Sequence, residues 1–339
     1  MDKTEWGSIL ICNWEDIKDE KWNNLLLGNG FSTNIWKNYS YQSLYKYSID
    51  NSIDPPLIGS IQNIFKNLQD INFEEVLRAI AYTILVKNSL GEETERYLQL
   101  YETVQQNLFN TVYAVHVEYS KLNKSALAQE IKSFKNVFTT CYDLILYWSS
   151  YGALNPNTIA DFFWSNDSNA FDPTNTQTSK ARFYYLHGAL HLKQDLNGTV
   201  SKLRYTSDKL PASSDFKYQG EKTQLPLYIA EGNSEYKLKK IKSNNYLSFC
   251  YHSFSSISGS LLVIGHSLNK EFDNHLIEAI KHNINLKAVG LSIYSELTQL
   301  EKEQLVKDLE AKLHRKDLEL FFFESNTHPL INESVKVQA

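Results

Sequence analysis

Three leucines, Leu25 to Leu27, run without interruption into Gly28-Asn29-Gly30, and the polar residues that follow take up helical spacing. That pattern predicts a buried strand, a tight turn and a helix start within residues 23 to 36. Further apolar runs stand in NVFTT (136–140), ARFYYLHGALHLKQD (181–195), PLYIAEG (226–232), SLLVIGHSL (260–268), LKAVGLSIYS (286–295) and LELFFFES (318–325). Between 57 and 134 the period changes to steps of three and four through Ile61, Ile64, Phe65, Leu68, Phe73, Val76, Leu77, Ile80 and Ile84, resuming after Gly91 with Tyr97, Leu100, Tyr101, Val104 and Leu108. In the last third, strands alternate with the amphipathic EFDNHLIEAIKHN and LTQLEKEQLVKDLEAKLHR. The alternation predicts an α/β, Rossmann-like fold: one mainly parallel sheet built from LLLGNG, NVFTT, FYYLHG, LLVIG, KAVGLSI and LELFFF, with helices on both faces. Residues 1–56 and 135–339 form that domain, and 57–134 an inserted helical subdomain. Polar stretches at 155–180 and 193–225 read as loops, SEYKLKKIKSNNYLSFCYHSF (234–254) as one or two helices, and the helix after NVFTT as beginning at Tyr142 or Asp143.

Composition narrows the classes. Of 339 residues, 42% are hydrophobic and 22% charged, as in an ordinary globular protein, and the net charge of −5 argues against a chain built to coat nucleic acid. The first residues, MDKTEWGSILICNWED, lack the layout of a signal peptide, and no apolar run is long enough for a membrane span. Cys12, Cys141 and Cys250 form no CxxC pair, so neither a disulfide framework nor a structural zinc site is expected, and a reducing cytoplasm fits. His187 and His191 have a metal-like spacing, but on one strand they would stand about 13 Å apart. No metal is expected there.

Four strand ends carry candidate chemistry. Gly28-Asn29-Gly30 lets backbone N–H groups approach a phosphate, although a turn of this kind also serves merely to leave a strand, and Thr33 stands where a third glycine would complete a dehydrogenase fingerprint. Thr139-Thr140-Cys141-Tyr142-Asp143 ends a second strand, with Asp143 either a ligand group or a helix cap. His187-Gly188 offers a general base or a satisfied strand histidine. Gly265-His266-Ser267 makes another sharp exit.

Taken together and in this order, LLLGNGFS, FTTCYD, YLHG and LVIGHSL resemble the sirtuin-like superfamily. The further likeness of NFEEVLRAI, PLYIAEG with Lys237 after it, NNYLSF and VIGHSLNKEFDNHLIEAI is to a bacterial sirtuin-like family related to NAD-consuming effectors of anti-phage defence. The resemblance implies a site binding NAD, as substrate or ligand, through Gly28, Asn29, Gly30, Phe31, Ser32, Thr140, Tyr142, Gly265 and Ser267. It implies catalysis by His187, with Asp143 orienting the ribose and Cys141 at the family's Asn position. The implied reaction is release of nicotinamide by an NAD+ glycohydrolase, under a gating partner or as a homo-oligomer. The four-cysteine zinc module of deacylating sirtuins is missing, which favours the zinc-free branch. Cys141 supports a rival reading, a non-catalytic sensor of NAD or ADP-ribose, because a thiol is a weak donor and acceptor where a carboxamide does both. As a nucleophile Cys141 would need a depressed pKa, and a small buried residue is the commoner role of a free cysteine.

Overall fold

The computed structural model describes residues 11–153, 159–163, 169–175, 181–195, 197–203, 224–229 and 233–338. Seven strands make the main sheet: β1 (Asn24–Leu27), β2 (Asn136–Thr139), β3 (Ile159–Ala160), β4 (Ala181–Tyr185), β8 (Gly259–Ile264), β9 (Leu286–Ile293) and β10 (Glu319–Glu324). Their order is β10-β9-β8-β1-β2-β4-β3, and every pairing is parallel. All six predicted sheet segments are in it. Leu25, Leu26 and Leu27 are fully buried, as are Leu261, Leu262 and Ile264, which is why these strands read as continuous apolar runs: a parallel sheet is covered on both faces.

Two sequence readings are corrected. ARFYYLHGALHLKQD is not one strand: it breaks after Tyr185, and Gly188 (φ +76°) turns the chain into β5 (Gly188–Asp195). With β6 (Val200–Lys202) and β7 (Gln224–Tyr228), β5 forms a separate three-stranded antiparallel sheet in the order β6-β5-β7. His187 therefore sits in a turn and not on a strand with His191, so the strand-spacing argument does not apply to it. A side chain at Gly188 would meet the Leu227 carbonyl oxygen at 2.2 Å, which explains why glycine makes this turn. The helix after β2, α7 (Ile145–Ala153), begins two residues later than Asp143. The predicted polar loops and the end of PLYIAEG fall partly outside the described residues, although Ile159–Ala160 adds a short strand within the first.

The helical stretch holds α3 (Gly59–Leu68), α4 (Phe73–Ser89), α5 (Glu95–Ala114) and α6 (Lys124–Ile131). Helix α2 (Tyr41–Asp50) packs on α5 and α6 packs on α7, and one hydrophobic cluster joins the helices to the sheet. Phe65 meets Tyr45 in a tilted contact and Phe73 edge to face, at centroid distances of 4.7 and 5.1 Å. The remaining helices are α1 (Asn29–Ile35), α8 (Ser234–Ser243), α9 (Asn245–Ser255), α10 (Lys270–His282) and α11 (Gln299–Leu313), with α8 and α9 as two separate helices.

Candidate functional site

The strand register brings the motifs together. Leu27 lies opposite Thr139 on one side and Ile264 on the other, and Thr139 lies opposite Tyr185. Gly28, Thr140, Leu186 and Gly265 therefore leave the sheet in one row at its carboxyl edge. Because β1 pairs with β2 on one flank and β8 on the other, the edge between β1 and β8 is where the chain changes winding direction, the place where open α/β sheets take ligands.

At that edge the two glycine turns interlock. The Gly30 N–H donates to the Gly265 carbonyl at 2.8 Å, and the Gly28 N–H to Ile264 at 2.9 Å. A Cβ on Gly28 would lie 2.6 Å from the Gly265 oxygen, and one on Gly265 2.2 Å from the Phe31 nitrogen. Gly265 also has φ +65°. Gly265→Ala is expected to cost about 3 kcal/mol, combining left-handed strain with overpacking, whereas Gly91→Ala costs about 1 kcal/mol. Gly91 has a positive φ too, at +70°, but open space around it. Urea midpoints of the two variants test this, and equal losses would contradict the interlock.

Ser32 and Asp143, from different motifs, meet directly. The Ser32 hydroxyl donates to Asp143 Oδ2 at 2.5 Å, and the Ile145 N–H donates to Asp143 Oδ1 at 2.8 Å. Asp143 thus serves the entry to α7 and the first glycine turn at once. Burial pushes its carboxyl above the usual range, with Ser32 and the Ile145 amide pulling it back. Cys141 is buried beside them, its amide bonded to Thr139 Oγ1 at 3.0 Å and its Sγ 4.0 Å from the Leu27 carbonyl. Burial and then the Asp143 charge push the thiol up to about 12, so it is protonated at neutral pH and is no nucleophile.

A second polar group lies against the first. The Tyr142 hydroxyl donates to Glu74 Oε1 on α4 at 3.1 Å, Lys237 on α8 bonds Glu74 Oε2 at 3.1 Å, and Asp273 on α10 lies 3.8 Å from the same ammonium. Burial raises the Glu74 carboxyl, and Lys237 opposes the rise. His187 Nε2 is 3.2 Å from His275 Nε2, and His275 Nδ1 is 2.9 Å from the Ser234 hydroxyl. Burial first, then the charges of Lys237, His275 and His266, hold His187 well below the usual histidine range. It is a neutral imidazole at neutral pH. His266, next to Gly265, also feels Asp273 and Lys237, so the second glycine turn borders this group.

His116, which no local sequence pattern singles out, braces the Cys141–Asp143 loop from the helical side. Its Nε2 accepts the Leu144 N–H at 2.9 Å and its Nδ1 lies 2.9 Å from the Val117 oxygen, a pairing that needs the neutral ring with its proton on Nδ1. Burial lowers its pKa to about 4. The unfolded chain therefore binds the proton more readily: the stability His116 contributes is complete above about pH 6.5 and is lost as pH falls through about 4. The total is about 3 kcal/mol. His116→Phe is expected to be less stable at pH 7 and to lose less on acidification to pH 5 than the parent does. Parallel pH slopes for the two proteins would refute it.

Of the other predicted residues, Phe31 is buried, Asn29 and Gly30 are exposed, and Thr140 hydrogen-bonds Leu27 through its amide at 3.0 Å. Ser267 is exposed and hydrogen-bonds none of the described residues. Hollows of about 430 Å³ beside Pro56 and Gln62 and about 870 Å³ beside His314 and Arg315 are lined by none of these residues.

Among solved structures the chain is similar to a Sir2 homologue mutant in complex with ADP-ribose, at 11% identity and TM-score 0.33, covering 88% of this chain and 96% of that one. It is likewise similar to a Sir2 homologue in complex with NAD, at 13% identity and TM-score 0.33, covering 88% and 93%. No curated protein matches the chain. The family model named DUF4917, a domain of unknown function, matches residues 25–330, and the chain belongs to that family.

Proposed function

We propose that the carboxyl edge of the main sheet binds NAD and hydrolyses its nicotinamide–ribose bond. The observation that carries the reading is the register placing Gly28, Thr140, Leu186 and Gly265 in one row, so that four motifs scattered over more than two hundred residues share an edge. The two glycine turns leave no side chain between the start of α1 and the carboxyl edge of the sheet, which suits a pyrophosphate lying there, and the hydroxyl–carboxylate pair of Ser32 and Asp143 suits a ribose. In the reaction the bond from ribose C1′ to the pyridinium nitrogen breaks, its electron pair leaving with neutral nicotinamide. A water oxygen bonds to C1′ and yields its proton to His187, which as a neutral imidazole has a lone pair to receive it. ADP-ribose, nicotinamide and one proton result.

Asp143 and His187 are both buried, which supports a resting state that opens before it acts. Such restraint accords with the resemblance to anti-phage effectors, whose destruction of a central cofactor requires a gating partner or an assembly step. The test is nicotinamide release from NAD by the full chain, alone and with candidate partners. The rival reading, a sensor that holds NAD or ADP-ribose without cleaving it, draws on Cys141, whose protonated thiol offers little to a ribose hydroxyl or a water. A ligand-induced rise in melting temperature without nicotinamide release would favour it.

A further inference from the structure

We infer that His187, Asp273 and His275 form a site for a divalent metal of the zinc class. The ligand atoms of the three side chains lie within 4.8 Å of one another. The two Nε2 atoms face each other at 3.2 Å. Two imidazoles on one tetrahedral zinc, each at its usual bond length, hold their nitrogens about 3.3 Å apart. Without a metal, one of these nitrogens must donate to the other. With a metal both lone pairs are used.

The backbone makes the same point independently. Asp273 and His275 are two residues apart, which in a regular helix turns their side chains about 200° from each other. Here α10 is kinked at Asp273, whose φ of −131° and ψ of 22° are not helical, and the kink lets both side chains serve one point. The Asp273 carboxylate accepts no hydrogen bond from the described residues, and its charged neighbour Lys237 stands off at 3.8 Å. His275 is held as a ligand would be: Ser234 Oγ takes its backbone N–H at 2.7 Å and meets Nδ1 at 2.9 Å, so a proton on Nδ1 leaves Nε2 free to bind. Glu74 pairs with Lys237, and the Asp273 carboxylate supplies the negative charge that an incoming cation needs. Imidazole with one carboxylate is a zinc-class donor set, and three protein ligands leave a fourth position open.

The proposed site departs from the expectation of no metal, which weighed His187 with His191: the imidazole facing His187 is that of His275. A metal on Nε2 also removes the lone pair His187 needs as a base, so metal and base action exclude each other. That consequence rests on the hydrolase reading; the site itself does not.

The test titrates the full chain, stripped of metal, with Co2+ and reads the visible ligand-field bands of a four-coordinate site, followed by displacement with Zn2+. One equivalent per chain is expected. Asp273→Asn and His275→Ala should each lose the signal, and Ser234→Ala should weaken binding about 10- to 100-fold. Thermal melts without metal establish that each variant folds, and Asp273→Asn, which keeps its shape, decides if His275→Ala does not fold. A titration without the bands, or a signal that survives in Asp273→Asn as an adventitious ion only, overturns the site. No NAD is present, so the outcome is separate from that of the nicotinamide assay.

Discussion

His187→Ala is expected to abolish whatever NAD cleavage the chain performs while leaving NAD affinity largely intact. A positioned base contributes about 10²- to 10⁴-fold to a rate, which is enough to sink a slow hydrolysis below detection. The substitution removes the imidazole that faces His275 and leaves untouched the interlocked turns at Gly28–Gly30 and Gly265, where the phosphates are proposed to lie. Kinetics and affinity should therefore separate. Nicotinamide release and calorimetric binding, measured side by side on parent and variant, check the split. An active parent unaffected by the change would remove the histidine from the mechanism, and loss of binding together with activity would make it a structural residue.

Cys141→Asn is expected to raise cleavage by about 10²-fold, the scale of one hydrogen-bonding group whose contact forms chiefly in the transition state. The thiol, buried beside Asp143, Ser32 and Thr139, is protonated, and its contact with the Leu27 carbonyl is marginal, at 4.0 Å. A carboxamide there can donate to the Leu27 oxygen and still offer its own oxygen to a ribose hydroxyl or a water. The measurement is nicotinamide release under the conditions that activate the parent. An inert Cys141→Asn protein, folded and supplied with its partners, points to the sensor instead.

The sheet was legible because parallel strands bury both faces. LLL, LLVI and LFFF therefore stand out as unbroken apolar runs, and the glycines at 28, 30 and 265 mark where they stop. The convergence of Ser32 with Asp143, and the place of His187 at the same edge, were legible because the ends of neighbouring parallel strands lie side by side. What the local pattern hid is whatever depends on distant contacts. The break at His187-Gly188 was invisible because ARFYY and ALHLK are both good strand sequences, and only pairing with β7 assigns the second to another sheet. His275 and Asp273 sit in an ordinary amphipathic helix pattern, and the kink that joins them leaves no mark in the periodicity. Glu74, Lys237, Asp273 and His275 nonetheless lie within the very stretches that carry the family resemblance. Polar residues at buried positions of those stretches, Glu74 among them, were the available signal. His116 had none, because its role depends on an amide 28 residues away in sequence.

A crystal structure of the full chain with ADP-ribose bound tests the central claim most directly. The account requires the pyrophosphate against the backbone of Gly28 to Ser32 and of Gly265 to Ser267, the adjoining ribose beside Asp143, and its C1′ turned toward His187. A ligand bound anywhere else, such as the hollow beside Pro56, or His187 on the side of the sheet away from the ribose, would contradict it.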